Sequence, residues 1–65
     1  MSQLDTKTRI LNAAEQLFAT EGFHNTSTRA ITGNADVNLA AVNYHFGSKE
    51  ALLQAVFERR LLPLN

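Results

Sequence analysis

Apolar residues recur at helical spacing along this chain. Ile10, Ala13 or Ala14, Leu17 and Phe18 fall on one side of a 3.6-residue repeat, and Thr6, Lys7, Arg9, Glu15 and Gln16 fill much of the other. The pattern predicts an amphipathic helix from about Asp5 to Glu21, capped by Asp5 or Ser2. Gly22 supplies a left-handed residue past its end, which places Phe23 where it can touch Phe18 in a Schellman ending. Asn25-Thr26-Ser27-Thr28 is a run of capping residues that starts a second, short helix ending near Ala35, with Ile31 and Ala35 one turn apart on its inner side. Gly33 inside that helix costs roughly 1 kcal/mol relative to Ala, so packing has to hold it.

Asp36 stands where a tight helix-to-helix turn needs a residue tolerant of positive φ, a place Asp fills second best after Gly. Val37 then turns inward and Asn38 caps a third helix. On it Leu39, Val42 and Phe46 lie within about 60° of one another and form the inner stripe. Ala40 and Tyr44 project opposite, flanked by Ala41, Asn43 and, more obliquely, His45. Gly47 stops this helix and Ser48 opens a fourth, from about Lys49 to Leu62, with Leu52, Leu53, Val56, Phe57 and Leu61 as its apolar set. Pro63 biases Leu62 away from helix and ends the ordered part there. The expected fold is all-α: a small bundle of about four helices with a homeodomain-like helix-turn-helix over about 27–46.

At 65 residues the chain is one domain, and a domain of that size hides only about 60% of its unfolded surface. An apolar share of 45% with 18% charged residues suits a folded domain rather than a disordered segment. The absence of Cys excludes disulfides and thiolate metal sites. The N-terminus has no apolar signal-like region, and no apolar run approaches the roughly 18 residues that span a membrane. The chain is therefore read as soluble and intracellular, with no membrane partner and no cofactor.

Catalysis is not expected. The two His residues have no Cys or facing acid to make a metal site with. No Ser/His/Asp set, Gly-rich phosphate loop or workable carboxylate pair occurs, and so small a domain lacks room for a substrate pocket of ordinary size.

Two short helices joined by a four-residue turn, with a longer helix on each side, are the layout of a DNA-reading helix-turn-helix. The third helix suits that role because a small helical protein rarely leaves Asn, Tyr and His standing in solvent over two alanines. Ala40 and Ala41 permit close backbone approach and contact with thymine methyls, and Asn43 can pair with adenine or reach a phosphate. Asn38, Leu39 and the exposed Tyr44 complete the set on this helix. Thr26, Ser27 and Thr28 would offer hydroxyls and helix-start amides to a phosphate, although as plain caps they need no ligand. Arg29 could reach a guanine edge or a phosphate, whereas His24 reads as an ordinary loop residue.

Net charge is zero, with six Lys/Arg and six Asp/Glu, and this counts mildly against nucleic acid because phosphate contacts normally leave a basic footprint. Between Asn25 and Lys49, however, the cations are Arg29 and Lys49 and the only acid is Asp36. Local charge decides the field at a docking face. The rival reading is a helical protein-interaction module that uses the Leu39/Tyr44 surface as a partner groove.

The chain also resembles the TetR family of transcriptional regulators over nearly its whole length. Ile10 to Phe18 followed by Gly22 is similar to that family's first helix, and Thr26 to Ile31 to the start of its second. Val42-Asn43-Tyr44-His45-Phe46 followed by Ser48-Lys49-Glu50-Ala51-Leu52-Leu53 is similar to its most diagnostic stretch. Two departures stand out. Asp36 replaces the family's turn Gly, and Asn43 stands where a Tyr is frequent, with an aromatic kept at Tyr44.

The resemblance implies that His45 and Lys49 contact phosphate. It also implies the N-terminal DNA-binding domain (residues 1–65) of a bacterial, cytoplasmic one-component regulator, usually a repressor. A larger C-terminal domain would dimerise, bind a small-molecule effector and release the dimer from a palindromic operator. None of that domain follows Pro63, so the chain is expected to be a fragment and by itself mostly monomeric. The stretch Asn38 to Glu50 with Gln54 to Phe57 further resembles a branch that senses long-chain fatty acids or their CoA esters.

Overall fold

A computed structural model describes residues 5–61. It contains α1 (Thr6–Glu21), α2 (Thr28–Ala35), α3 (Leu39–His45) and α4 (Lys49–Leu61), with no strand among the described residues. The expected all-α bundle of four helices is therefore what forms. The Ser2 alternative cap and the Leu62 end of the last helix lie outside the described residues.

Each helix starts where a short polar side chain can take over an orphan backbone donor. The Asp5 carboxylate accepts from the Thr8 N–H at 2.8 Å, and this bond holds its carboxyl below the ordinary value of 3.8. Ser27 accepts from Ala30 at 2.9 Å, Asn38 from Ala40 at 2.9 Å and Ser48 from Ala51 at 3.0 Å.

The ends are equally local. Asp36 adopts φ 60°, ψ 49°, the left-handed region. The Val37 N–H donates to Thr32 O at 3.0 Å and the Asp36 N–H to Gly33 O at 3.3 Å, so α2 closes in a Schellman motif around a residue other than Gly. At the end of α1 the expectation needs correction. Gly22 has φ 88° but ψ 154°, a region essentially restricted to Gly, and the chain leaves extended rather than left-handed helical. A single bond from the Gly22 N–H to Phe18 O (3.1 Å) ends the helix. The Phe18 and Phe23 rings still meet, with centroids 5.3 Å apart.

The core is made by Ile10, Leu11, Ala13 and Ala14 of α1, Ile31 and Ala35 of α2, Val42 of α3, and Leu52 and Val56 of α4. Leu17, Phe18, Val37, Ala41, Phe46 and Ala55 pack against it. Three apolar positions depart from expectation. Leu39 is 40% exposed and drops out of the α3 stripe; Phe57 is 57% and Leu61 81% exposed. On α3 only Val42, and on α4 only Leu52 and Val56, are buried, so their buried stripes are narrower than periodicity alone implies.

Polar contacts fasten the far end of α4 to α1. Arg59 donates to Asn12 Oδ1 at 2.8 Å, to Leu11 O at 3.4 Å and to the Glu15 carboxylate, which Arg60 also engages. These guanidinium bonds, Arg59 first, keep the Glu15 carboxyl below its ordinary value of 4.5 against an opposing cost of burial. Among the described residues no helix is long and apolar enough to cross a membrane.

Candidate nucleic-acid interface

α3 keeps one side chain, Val42, fully buried and turns most of the others outward. Leu39, Ala40, Asn43, Tyr44 and His45 are exposed and Ala41 is half-buried. Tyr44 is 84% exposed, with its ring edge-on to His45 at 4.9 Å between centroids. A phenol ring so exposed contributes little to folding. It forms instead a polar-tipped aromatic surface beside the small residues Ala40 and Ala41. Asn38 caps the helix through its side-chain oxygen, leaving its amide donors available.

The start of α2 supplies a second group of donors. Ser27 and Arg29 are exposed and Thr28 is half-buried. The Ser27 hydroxyl is committed to the Ala30 N–H, and the N–H groups of Thr28 and Arg29 precede the first intrahelical bond and point out of the helix end. Among the described residues Arg29 has no ion-pair partner.

Thr26 does not belong to this surface, contrary to the sequence expectation. It is 2% exposed, and its hydroxyl donates to Gly22 O at 2.8 Å and Leu17 O at 3.2 Å. The cap at α2 is Ser27, one residue later, so Thr26 falls inside the connection and closes the end of α1 instead of offering a hydroxyl to solvent.

Lys49 is the residue whose surroundings sequence reasoning least anticipated. Its ammonium donates to Phe23 O at 2.8 Å and Thr26 O at 3.1 Å, and lies 4.1 Å from the Phe23 ring centroid. Two of its three N–H bonds are thus spent inside the molecule. The same contacts bring the first turn of α4, just beyond the end of α3, against the connection that leads into α2. The helix-turn-helix is thereby held at both of its ends by one side chain.

Two further cations reach the helix-turn-helix from α1. Lys7 lies 6.0 Å from the Phe46 ring centroid, at the end of α3. Arg9 donates to Ala35 O at 2.8 Å and Asp36 O at 3.0 Å, at the turn between α2 and α3. Both read in the sequence as polar filler on an amphipathic helix. Their only sequence signal is that they fall within the first two turns of α1, and periodicity does not tell which neighbour a long side chain will reach.

No group of three or more His, Cys, Asp or Glu that could hold a metal occurs among the described residues. Buried side-chain polar atoms among them all have hydrogen-bond partners.

Comparison with known proteins agrees with this arrangement. A family profile described as "Bacterial regulatory proteins, tetR family" matches residues 10–56, from the first core residue of α1 to the last of α4. The HTH-type transcriptional regulator UidR of Escherichia coli (strain K12) is 47% identical over 51 residues, covering 78% of this chain and 26% of that protein. The probable HTH-type transcriptional regulator YttP of Bacillus subtilis (strain 168) is 40% identical over 52 residues, 80% of this chain and 25% of its own length. The HTH-type transcriptional regulator SrpR of Pseudomonas putida is 37% identical over 60 residues, 92% of this chain and 28% of its own length. The chain thus spans about a quarter of the length of these three relatives.

Proposed function

Because the chain belongs to the tetR family of bacterial regulatory proteins, we propose that it is the DNA-reading head of a one-component transcriptional regulator. The observation that carries this reading is the outward face of α3, where Ala40, Asn43 and the 84%-exposed Tyr44 stand free, with Arg29 exposed in the first turn of α2. A helix with such a face fits the major groove. Ala40 and Ala41 allow close approach, Asn43 and Arg29 read base edges, and Tyr44 and His45 lie against the backbone. Ser27, Thr28 and the α2 helix start face a phosphate. Lys49 contributes its charge and its remaining N–H to another.

In this reading the head works as one of two. A dimer made by a further domain presents two copies to a palindromic operator about one helical turn apart, or a multiple of it. The regulator is a repressor that a small-molecule effector releases by changing the separation of the heads. Selection from random duplex DNA with a dimeric form of the head tests the proposal: a palindromic motif is expected, and enrichment of no motif overturns it.

The rival, a protein-docking module, draws on the exposure of Leu39 and Tyr44 and on the zero net charge. Salt decides between them. DNA binding weakens steeply as salt rises, whereas an apolar groove contact barely changes.

A further inference from the structure

The reading helix is short. α3 has seven residues and buries one of them completely, and only Asp36, Val37 and Asn38 connect it to α2. Its angle to the rest of the domain is therefore set by that turn together with the packing of Val42, Ala41 and Phe46 on the core. Asp36 is in the left-handed conformation without being Gly, a place Asp tolerates less well than Gly, so something outside the turn adds to its own Schellman bonds in holding it.

That something is on α1. The Nη2 group of Arg9 donates to two successive carbonyls, Ala35 O at 2.8 Å and Asp36 O at 3.0 Å. The Asp36 carboxylate lies 3.9 Å from the same nitrogen. These carbonyls close α2, where the helix leaves its acceptors unpaired and its dipole favours a cation. The guanidinium thus joins the body of the domain directly to the corner from which α3 departs.

We propose that Arg9 is a positioning residue for DNA reading: it touches no base, and by holding the Ala35 and Asp36 carbonyls it fixes the angle at which α3 is presented. The inference rests on the DNA-reading role proposed above. It separates Arg9 from Arg29, which contacts DNA directly, and from Arg59, which fastens α4 to α1 away from the turn.

The test uses the 65-residue chain and its Arg9→Ala and Arg9→Lys variants at a temperature where circular dichroism shows all three folded. Backbone amide residual dipolar couplings give the angle between α2 and α3 without any DNA. In Arg9→Ala, α3 is expected to reorient while α1, α2 and α4 keep their mutual angles, and Arg9→Lys, which keeps a donor within reach, restores part of the wild-type angle. An unchanged α2–α3 angle in Arg9→Ala overturns the proposal.

On the duplex that a dimeric form of the wild-type head selects, the same form of Arg9→Ala should lose specific affinity on the order of tenfold, comparable to a mismatched base pair. Its binding to random duplex and its salt dependence should stay as in wild type. A salt slope lowered by about 1 would make Arg9 a direct phosphate contact and overturn the positioning role. Equal losses on specific and random duplex would reduce Arg9 to a stability residue. If the dimeric wild-type head selects no duplex, the DNA-reading proposal fails and Arg9's role in reading fails with it, even where the couplings show that it sets the turn. Should Arg9→Ala unfold, Arg9→Gln, whose uncharged amide stops two bonds short of the Nη2 position while its stem stays in place, supplies the same comparison.

Discussion

The Lys49 ammonium lies 4.1 Å from the centre of the Phe23 ring, across 26 residues of chain, while it donates to Phe23 O and Thr26 O. A cation over an aromatic face with two carbonyl acceptors is held in place before any ligand arrives. The residue therefore has two separable roles, support of the connection into α2 and charge for a phosphate. Lys49→Ala is expected to lower stability by about 1–3 kcal/mol, since it removes charged hydrogen bonds. It should also weaken binding to all duplexes alike and reduce the salt slope by about 1. Phe23→Leu removes only the ring and should cost about 1 kcal/mol of stability with the salt slope intact. Denaturant titration and binding at several salt concentrations on both variants check the pair.

Tyr44 makes the opposite prediction. Its side chain is almost fully exposed, so Tyr44→Ala should leave stability within about 0.5 kcal/mol of wild type. Binding to the selected duplex should fall clearly. Arg29→Ala is expected to relax preference at one base pair at a cost of about 1–3 kcal/mol. Repeated selection with each variant, beside thermal unfolding, measures both. A loss of stability in Tyr44→Ala large enough to explain the binding defect would remove Tyr44 from the reading surface.

Two backbone substitutions should stabilise the domain. A Cβ at Gly33 would meet nothing within 4 Å, and the residue lies inside α2, so Gly33→Ala should gain about 1 kcal/mol of helix propensity. Asp36→Gly relieves a left-handed L-residue but adds freedom to the unfolded chain, and the net gain should not exceed about 1 kcal/mol. Urea unfolding curves of the two variants give these differences directly.

Stability should also depend on acid through Glu15. Its carboxyl is held below 4.5 by Arg59 and then Arg60, so the folded state binds the proton less readily than the unfolded one. The stabilisation is fully present above the ordinary carboxylate range and disappears as pH falls below 4.5 through the lowered folded value. Asp5 adds a contribution of the same sign below 3.8, through its bond to the Thr8 N–H. Glu15→Gln should melt at a lower temperature than wild type at neutral pH, and the two curves should converge as the solution is acidified. A constant difference across that range would show that Glu15 acts through packing instead.

The four helices, the residues that cap them and the places where the first three stop could be read from the chain, because these are settled within a few residues. Asp5, Ser27, Asn38 and Ser48 cap through bonds spanning two or three positions. Asp36 and Gly47 take positive φ where the helix pattern breaks. The outward set on α3 was legible for the same reason, since a seven-residue helix with one buried side chain has few places to hide Tyr44 or Asn43. The destination of long side chains and the width of each buried stripe depended instead on how the helices pack. Arg9, Lys49 and Arg59 reach partners 23 to 48 residues away, and Thr26 turns its hydroxyl inward. Phe57 and Leu61 stand in solvent although their spacing is that of core residues. Spacing along a helix fixes the direction of a side chain about the helix axis, whereas the angle at which two helices cross fixes how many turns stay in contact. That crossing is a property of the packed core and of the cations that bind its corners.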